Sequence, residues 1–600
     1  MKKILILLLS LFFSADVFSQ DSLYLWPTNS GRYLSSTFGE TRSAHFHSGL
    51  DIKTWGREGY KVYASKDGIL SRLLITNQGY GKAIYLKHND GSFTVYAHLQ
   101  RFNTEFQSIA DSIRMPDYSY TFEKFLENEN IKVKKGDVIG FTGSTGIGPP
   151  HLHFEIRNKD NQPINPLQFN FDIGDKVPPK FSSILIEPLD IDTRINGSVY
   201  PDIIYPSKFS TDTTFFDTLS VTGKFGFSPY IFDEANSVTN KYAVYKTSLL
   251  FEGDTLYHEE IDKFDFSEAN KMFVNRVPSP LSNRRRFQRL FLKENISHPF
   301  LVKSVENRRL ASGIYKIIAE DYFGNRTVAI IPVETNRQKE SSKKSNDSYD
   351  YWTNNWISIN DSSNIDLAKL GVGALWDPAI NQRIVNLKKD VNFTISRIEP
   401  DKSYSIVSPD FNITSIIESQ TFFDTVSILQ NWDLKSDTIF IEIGKPEIPT
   451  RKNIVLQLQL GDNYQSLSRT NLYSLSDDKD VKFIDSWVTG STLNALIGNL
   501  GKFVVLTDTT SPKIYLPKKI SLANGLITYT IKTEDDLSGI DYQSAIIIIN
   551  NQRGIPEYDY ENNTFTFYLP WFVATIQDSI YVELKDKAGN FFSKSFLLKN

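Results

Sequence analysis

The stretch that decides the fold is His151-Leu152-His153-Phe154-Glu155, entered through Gly143 to Gly148 and two prolines and continued by Ile156-Arg157. Apolar Leu152, Phe154 and Ile156 alternate with His151, His153 and Glu155, which is the period of a β-strand. Side chains two apart on a strand share a face, so both imidazoles point one way and the apolar set points into a core. Far upstream, His47-Ser48-Gly49-Leu50-Asp51 offers a further imidazole and a carboxylate. Gly49 and its neighbours favour a loop running into a strand there, where His47 and Asp51 can converge on one ion with His153. Two histidines and one carboxylate make a three-ligand zinc set that leaves a fourth position open for water. The chain has no cysteine, so no thiolate closes the site, which points away from a structural zinc.

Six of the eight histidines lie between His45 and His153. His98, in Tyr96-Ala97-His98-Leu99, ends a hairpin strand, and His151 shares the face of His153. An open zinc lowers the pKa of its water to about 7. His98 and His151 beside it fit the roles of general base and oxyanion stabiliser, in either assignment. The other histidines read differently. His45 is a non-ligand despite the His45-Phe46-His47 spacing. His88 is a solvated residue at a hairpin tip. In His258-Glu259-Glu260-Ile261-Asp262, Asp262 stands where a zincin helix needs its second histidine. His298 precedes Pro299 and reads as a loop.

Six hundred residues exceed one core and predict roughly three to five domains. A net charge of -4 and a pI near 6.1, with no basic stripe interleaved with aromatics, exclude a nucleic-acid footprint. Arg284-Arg285-Arg286 is too short to change that. Without cysteine there is no disulfide scaffold and no lipid-bearing residue at a cleavage point. Lys2-Lys3, the apolar run Ile4 to Phe13 and Val17-Phe18-Ser19 predict a signal peptide over 1–19, with Gln20 the first mature residue. That run is short for a bilayer. No later segment is long and apolar enough to span one; Ala545 to Ile549 has strand length. Export, with no transmembrane segment after cleavage, is the expectation.

Residues 20–174 read as an all-β domain of tight hairpins. Turns are expected at Asn89-Asp90-Gly91, at Lys66-Asp67-Gly68 and at Gly136-Asp137. Arg101 to Asn130 breaks the rhythm with helical spacing at Phe122, Phe125 and Leu126. It is expected as an insertion with one or two short helices beside the site, either a wall or lid limiting access to it or a surface loop. Residues 175–335 open with Asp175-Lys176-Val177-Pro178-Pro179-Lys180 and close with Asp321-Tyr322-Phe323-Gly324-Asn325. A polar linker, 336–350, follows. Residues 351–506 are β-rich, with Ile454 to Leu460 a strand. Residues 507–600 repeat the earlier grammar: Asp508-Thr509-Thr510-Ser511-Pro512-Lys513 opens, Asp535-Asp536-Leu537-Ser538-Gly539 turns, and Asp586-Lys587-Ala588-Gly589-Asn590 closes. Shared phrases suggest two copies of one sandwich module. They resemble bacterial immunoglobulin-like or fibronectin-like domains. Trp352, Trp356 and Trp571 are candidates for stacking on envelope glycans, with core packing the alternative.

Leu34 to about Phe171 resembles the catalytic domain of lysostaphin-type zinc metallo-endopeptidases, the duplicated-hybrid-motif fold. The family's H-x-x-x-D falls on His47 and Asp51, its isolated histidine on His98 and its H-x-H on His151 and His153. Phe38-Gly39, Gly49-Leu50-Asp51-Ile52, Val62-Tyr63-Ala64, Tyr80-Gly81 and Lys135-Gly136-Asp137 match as well. The resemblance implies one Zn²⁺ on His47, Asp51 and His153, with His98 and His151 catalytic. It implies the peptide cross-links of peptidoglycan as substrate, in the periplasm or extracellular envelope of a bacterium. The expected architecture is mainly β, this domain followed by about three β-sandwich modules. Two other functions compete. One is a non-catalytic scaffold or an activator of other cell-wall hydrolases. The other makes the C-terminal β modules the functional part, binding envelope glycans or proteins.

Overall fold

The computed structural model describes residues 24–599 except 170, 172, 190–192, 199–200, 278–286, 293–295, 306–310, 336–355, 361–362, 367–372, 375–392, 409–411, 436–437, 447, 462–468, 477–479, 523–524 and 576. The signal segment 1–19, the linker 336–350, Arg284 to Arg286 and Trp352 lie outside the described residues. In chain order the N-terminal domain runs β1 (Leu34–Ser36), β2 (Leu50–Lys53), β3 (Lys61–Tyr63), β4 (Gly68–Ile75), β5 (Lys82–His88) and β6 (Phe93–Ala97). Then come β7 (Leu99–Phe102), α1 (Thr104–Arg114), β8 (Phe122–Phe125), β9 (Lys132–Val133), β10 (Val138–Thr142) and β11 (His151–Arg157).

A large antiparallel sheet has the order β1-β2-β11-β6-β5-β4-β8, and a small one has the order β3-β10-β7. The two share a core. Leu50, Ile52, Leu70, Ile84, Leu86, Leu152, Phe154 and Ile156 come from the large sheet, and Val62, Leu99, Phe102 and Ile139 from the small one. The alternation in β11 does what its period demands: Leu152, Phe154 and Ile156 are fully buried, each stabilising the fold by about 1.5–3 kcal/mol.

The Asn89-Asp90-Gly91 turn joins β5 to β6 as expected. The other two expected hairpins are not hairpins. β3 pairs with β10 and β4 with β5, while β9 pairs with β4, so both turns carry the chain from one sheet to the other. The two crossings bond to each other, Gly136 N to Ala64 O and Ala64 N to Asp137 O, each at 2.9 Å. His88 is also not the solvated tip residue expected. It is 3% exposed, with Nδ1 2.9 Å from Asp67 O and Nε2 3.0 Å from Thr94 Oγ1. Its ring supplies polar partners that the turn backbone needs under cover.

Helix α1 falls within 101–130, where short helices are expected, but upstream of the Phe122, Phe125 and Leu126 spacing. Phe122–Phe125 is a strand, with Phe125 66% exposed. Asn103 caps α1 by accepting from Phe106 N at 2.8 Å. Phe106, Ala110 and Arg114 recur four apart on one face and are buried.

The remaining described residues form β modules with separate cores. One is built on Phe181, Ile184, Phe227 and Ile317, the next on Ile413, Ile428, Leu456 and Ile497, and the last on Ile531, Ile547, Phe565 and Val582. The first of these lies under the loop that carries His47. Phe38 and Phe46 pack with Ile261, Phe264, Met272 and Phe300. Gly39 lies there with φ +74°, and a Cβ on it would meet Ile261 Cγ2 at 2.1 Å. The last module folds back onto α1. Glu557 accepts from Lys82 Nζ at 2.9 Å and from Arg114 Nη1 at 2.7 Å, and Tyr568 donates to Asp111 at 2.8 Å. The stretch 101–130 is thus a docking platform for the last module.

Burial alone would raise the Glu557 carboxyl, but Lys82 and Arg114 outweigh it and hold the group at about 2. A depressed carboxylate adds stability above its ordinary pKa of 4.5 and loses it as pH falls through about 2. Protection of the α1 amides, measured against the intrinsic exchange rate at each pH, is therefore expected to fall between pH 4.5 and about 2 in the wild type. Glu557→Gln removes the carboxylate that Lys82 and Arg114 share and leaves the buried Arg114 guanidinium only its longer pair with Asp111, at 3.1 Å; this variant is expected to show the reduced α1 protection already at neutral pH.

Candidate metal centre and active site

Strand register builds the site. On β11, His153 stands opposite Asp51 of β2 on one side and Ala97 of β6 on the other. The residue after Ala97 is His98, at φ +58°. That left-handed backbone is uncommon away from glycine and marks a position fixed by its surroundings. It turns the chain out of the large sheet into β7. It also brings the His98 ring to 4.4 Å from that of His151 and 5.7 Å from that of His153, centre to centre. His47 enters from the loop before β2.

Three ligand atoms close into a triangle. His47 Nε2 lies 3.0 Å from both Asp51 Oδ1 and His153 Nδ1, and His153 Nδ1 lies 2.9 Å from Asp51 Oδ1. The far nitrogen of each ring is already engaged. His47 Nδ1–H donates to Thr37 O at 2.7 Å, and His153 Nε2–H to Glu155 Oε1 at 2.8 Å. That fixes the tautomers and turns both lone pairs toward Asp51. Four tetrahedral ligands at the usual zinc–nitrogen length stand about 3.3 Å apart. The donor set and its spacing fit zinc: three atoms that need a positive centre surround a common point.

The electrostatics agree. Burial works against the Asp51 charge, but His47, His153 and His151 outweigh it and hold the carboxyl well below its ordinary value. Arg42 Nη2 also pairs with its second oxygen at 2.6 Å. Glu155 is fully buried, and its carboxylate accepts from Ser48 Oγ, Tyr80 OH and Arg157 Nε, each at 2.6 Å, besides His153. Burial would raise it; Arg157 and His153 keep it far below the carboxylate range. Burial would also strip the His153 proton, yet Asp51 and Glu155 lift the group to about 9. With a cation in the triangle, that positive charge is the metal's.

Two further imidazoles face the same place uncharged. Burial first, then His151 and His153, push His98 down to about 3, and burial lowers His151 as well. His98 Nδ1–H donates to Thr145 O at 2.9 Å and His151 Nδ1–H to Pro149 O at 2.7 Å. Each keeps Nε2 as a free lone pair; that of His151 lies 3.6 Å from Asp51 Oδ1.

All five residues singled out in the sequence are thus brought together. His45 stays outside the triangle, exposed. His258 bonds Ser248 and Glu260 in another module. His298 follows a loop but is 3% exposed against Tyr257. The sequence reading passed over Glu155, Tyr80 and Arg42 as contributors. Glu155 carried a usable signal, since the alternation of β11 puts it on the face of His153. Arg42 carried none, because its approach to Asp51 depends on how the loop before β2 folds.

The sequence profile of peptidase family M23 matches residues 45–111 and 118–166. The murein hydrolase activator NlpD of Escherichia coli is 32% identical over 148 residues, covering 25% of this chain and 31% of that protein. The DD-carboxypeptidase/endopeptidase Mpg of Neisseria meningitidis serogroup B is 34% identical over 122 residues, covering 20% of this chain and 22% of that protein. The chain thus spans less than a third of the length of these curated relatives. Among solved structures, a mutant catalytic domain of the M23 protein EnpA from Enterococcus faecalis shares 23% identity, over 22% of this chain and 87% of that one, at a TM-score of 0.17. A zinc containing peptidase from Vibrio cholerae shares 24%, over 26% of this chain and 41% of that one, at a TM-score of 0.18. Residues 45–111 and 118–166 form a domain of peptidase family M23, the lysostaphin-type family.

Proposed function

We propose that the chain is an exported zinc endopeptidase that hydrolyses the peptide cross-links of peptidoglycan. The observation that carries this is the closed triangle of His47, Asp51 and His153 with two neutral imidazoles beside it. His47 Nε2, Asp51 Oδ1 and His153 Nδ1 would hold the ion. When bound, zinc polarises a carbonyl and brings the pKa of a water to about 7. His98 and His151 present Nε2 lone pairs, so either can take a proton from the attacking water. The ring that has taken it becomes the donor for the oxyanion or the leaving nitrogen. Glu155 orients His153 and raises its basicity. The murein and endopeptidase relatives support a cell-wall peptide as substrate, and the N-terminal signal pattern supports export.

A second reading is an activator of other wall hydrolases. The similarity to a protein of that name favours it; the complete ligand triangle argues against it.

Substitution separates the roles. His153→Ala is expected to lose both stoichiometric zinc and release of peptide fragments from purified sacculi. Retained hydrolysis without metal would contradict the peptidase reading, and intact stimulation of a second hydrolase by this variant would support the activator. His98→Ala is expected to keep zinc while kcat falls about 10²–10⁴-fold. Glu155→Gln is expected to weaken zinc affinity about 10–100-fold, read by competition with a chromophoric chelator.

A further inference from the structure

Outside the peptidase domain, two groups of three aspartates converge. Asp175, Asp233 and Asp321 form one in the module after that domain, and Asp508, Asp535 and Asp586 form the other in the last module. Within each, one oxygen per residue lies within 4.8 Å of the others. All but Asp535 are buried, at 2–8% exposed. Among the described residues no Lys or Arg pairs with any of the six.

The two groups share a set of bonds and differ at the middle aspartate, where Asp535 Oδ2 accepts from Leu537 N and Gly539 N. Asn325 N and Asn590 N donate to Asp321 and Asp586, each at 2.8 Å. Their side-chain amides reach back to the carbonyls of Asp175 and Asp508, at 3.2 and 3.0 Å. Val177 N and Thr510 N donate to the opening aspartates at 3.1 and 3.0 Å. The amide three residues beyond the middle aspartate, Asn236 N or Ser538 N, also donates to the opening one, at 3.2 and 3.1 Å. These bonds occupy some carboxylate oxygens and leave others without a donor. Asp233 Oδ1 is buried and unpartnered on a residue 7% exposed, and its carboxylate belongs to the first group. Asn590 Oδ1 is equally unpartnered on a side chain 1% exposed whose amide nitrogen touches both Asp508 and Asp586.

We propose that each group is a calcium site, which ties the opening strand of its module to the end of a middle strand and to the closing turn. The donors are all oxygen, which selects a hard cation over zinc. Carboxylates gathered from three chain segments suit Ca²⁺, which takes 6–8 oxygens in flexible geometry, where Mg²⁺ keeps its waters. Asp175 and Asp233 line a cavity of about 470 Å³ that gives an ion a way in. Asp175 lies between the M23 domain, matched to residue 166, and the strand Lys180–Pro188, and Asp508 directly follows the strand Gly501–Thr507 of the middle module. Each ion therefore sits at a joint and fixes how its module leaves the one before.

The test is equilibrium dialysis of the full chain, zinc-loaded beforehand, against Ca²⁺ at up to about 1 mM, the range of extracellular calcium modules. Two Ca²⁺ per chain are expected in the wild type, one in Asp233→Asn, one in Asp535→Asn and none in the double variant. An equal concentration of Mg²⁺ is not expected to displace them. Thermal unfolding supplies a check that does not depend on the count. Without Ca²⁺, Asp233→Asn melts no lower than the wild type, because the carboxyl it replaces is buried without a donor on Oδ1 and faces two like groups. With Ca²⁺, the wild type gains melting temperature at both modules and the variant at one. No bound Ca²⁺ in the wild type, binding unchanged by the substitutions, or equal binding of Mg²⁺ would overturn the proposal.

Discussion

The constraint on which the rest depends is the pairing of β11 between β2 and β6. Antiparallel register sets His153 level with Asp51 and with Ala97 at once. A slip of one residue would turn His151, His153 and Glu155 into the core and put Leu152 and Phe154 in their place. The fully buried Leu152, Phe154 and Ile156 forbid that slip, so the packing of one face fixes the chemistry of the other. His47 and His98 are then added by short loops at the ends of the paired strands, which leaves little freedom for the five side chains to part.

The supports of this site come from far along the chain. The first β module packs its aromatics against Phe38 and Phe46, the residues flanking the loop that ends in His47. The last module holds α1 through Glu557 and reaches the loop before His151, where Gly148 N donates to Glu561 at 3.0 Å. The loop that carries His47 and the loop before His151 are therefore both in contact with β modules. Arg114, with none of its side chain exposed, has one carboxylate partner in its own helix, Asp111 at 3.1 Å, and a shorter one in the last module, Glu557 at 2.7 Å, so that module carries part of the charge balance of α1.

How much was legible in the sequence follows from which interactions are local. The alternation in His151 to Arg157 and the short His47 to Asp51 motif are properties of single strands and loops, and both stand in the structure. The hairpin at Asn89-Asp90-Gly91 was legible because its partners are neighbours. Lys66-Asp67-Gly68 carried the same turn residues, but a turn's chemistry says only that the chain bends, not which strand it pairs with next. Sheet partners of β3 and β4 are chosen by the shared core, so those hairpins were misread. His88 looked solvated because its burial depends on Asp67 O and Thr94 across the sheet. Helix α1 falls within 101–130, where short helices are expected; Phe122 and Phe125 mimic a helical period in a strand, while Asn103 and the Phe106, Ala110, Arg114 face carry the signal of the helix itself.

The account stands most directly on where a zinc ion goes. Anomalous diffraction at the zinc edge from crystals of the full chain should give a peak within about 2.0–2.2 Å of His47 Nε2, Asp51 Oδ1 and His153 Nδ1, with His98 and His151 outside bonding distance. A peak held by other residues, or none at saturating zinc, would contradict it.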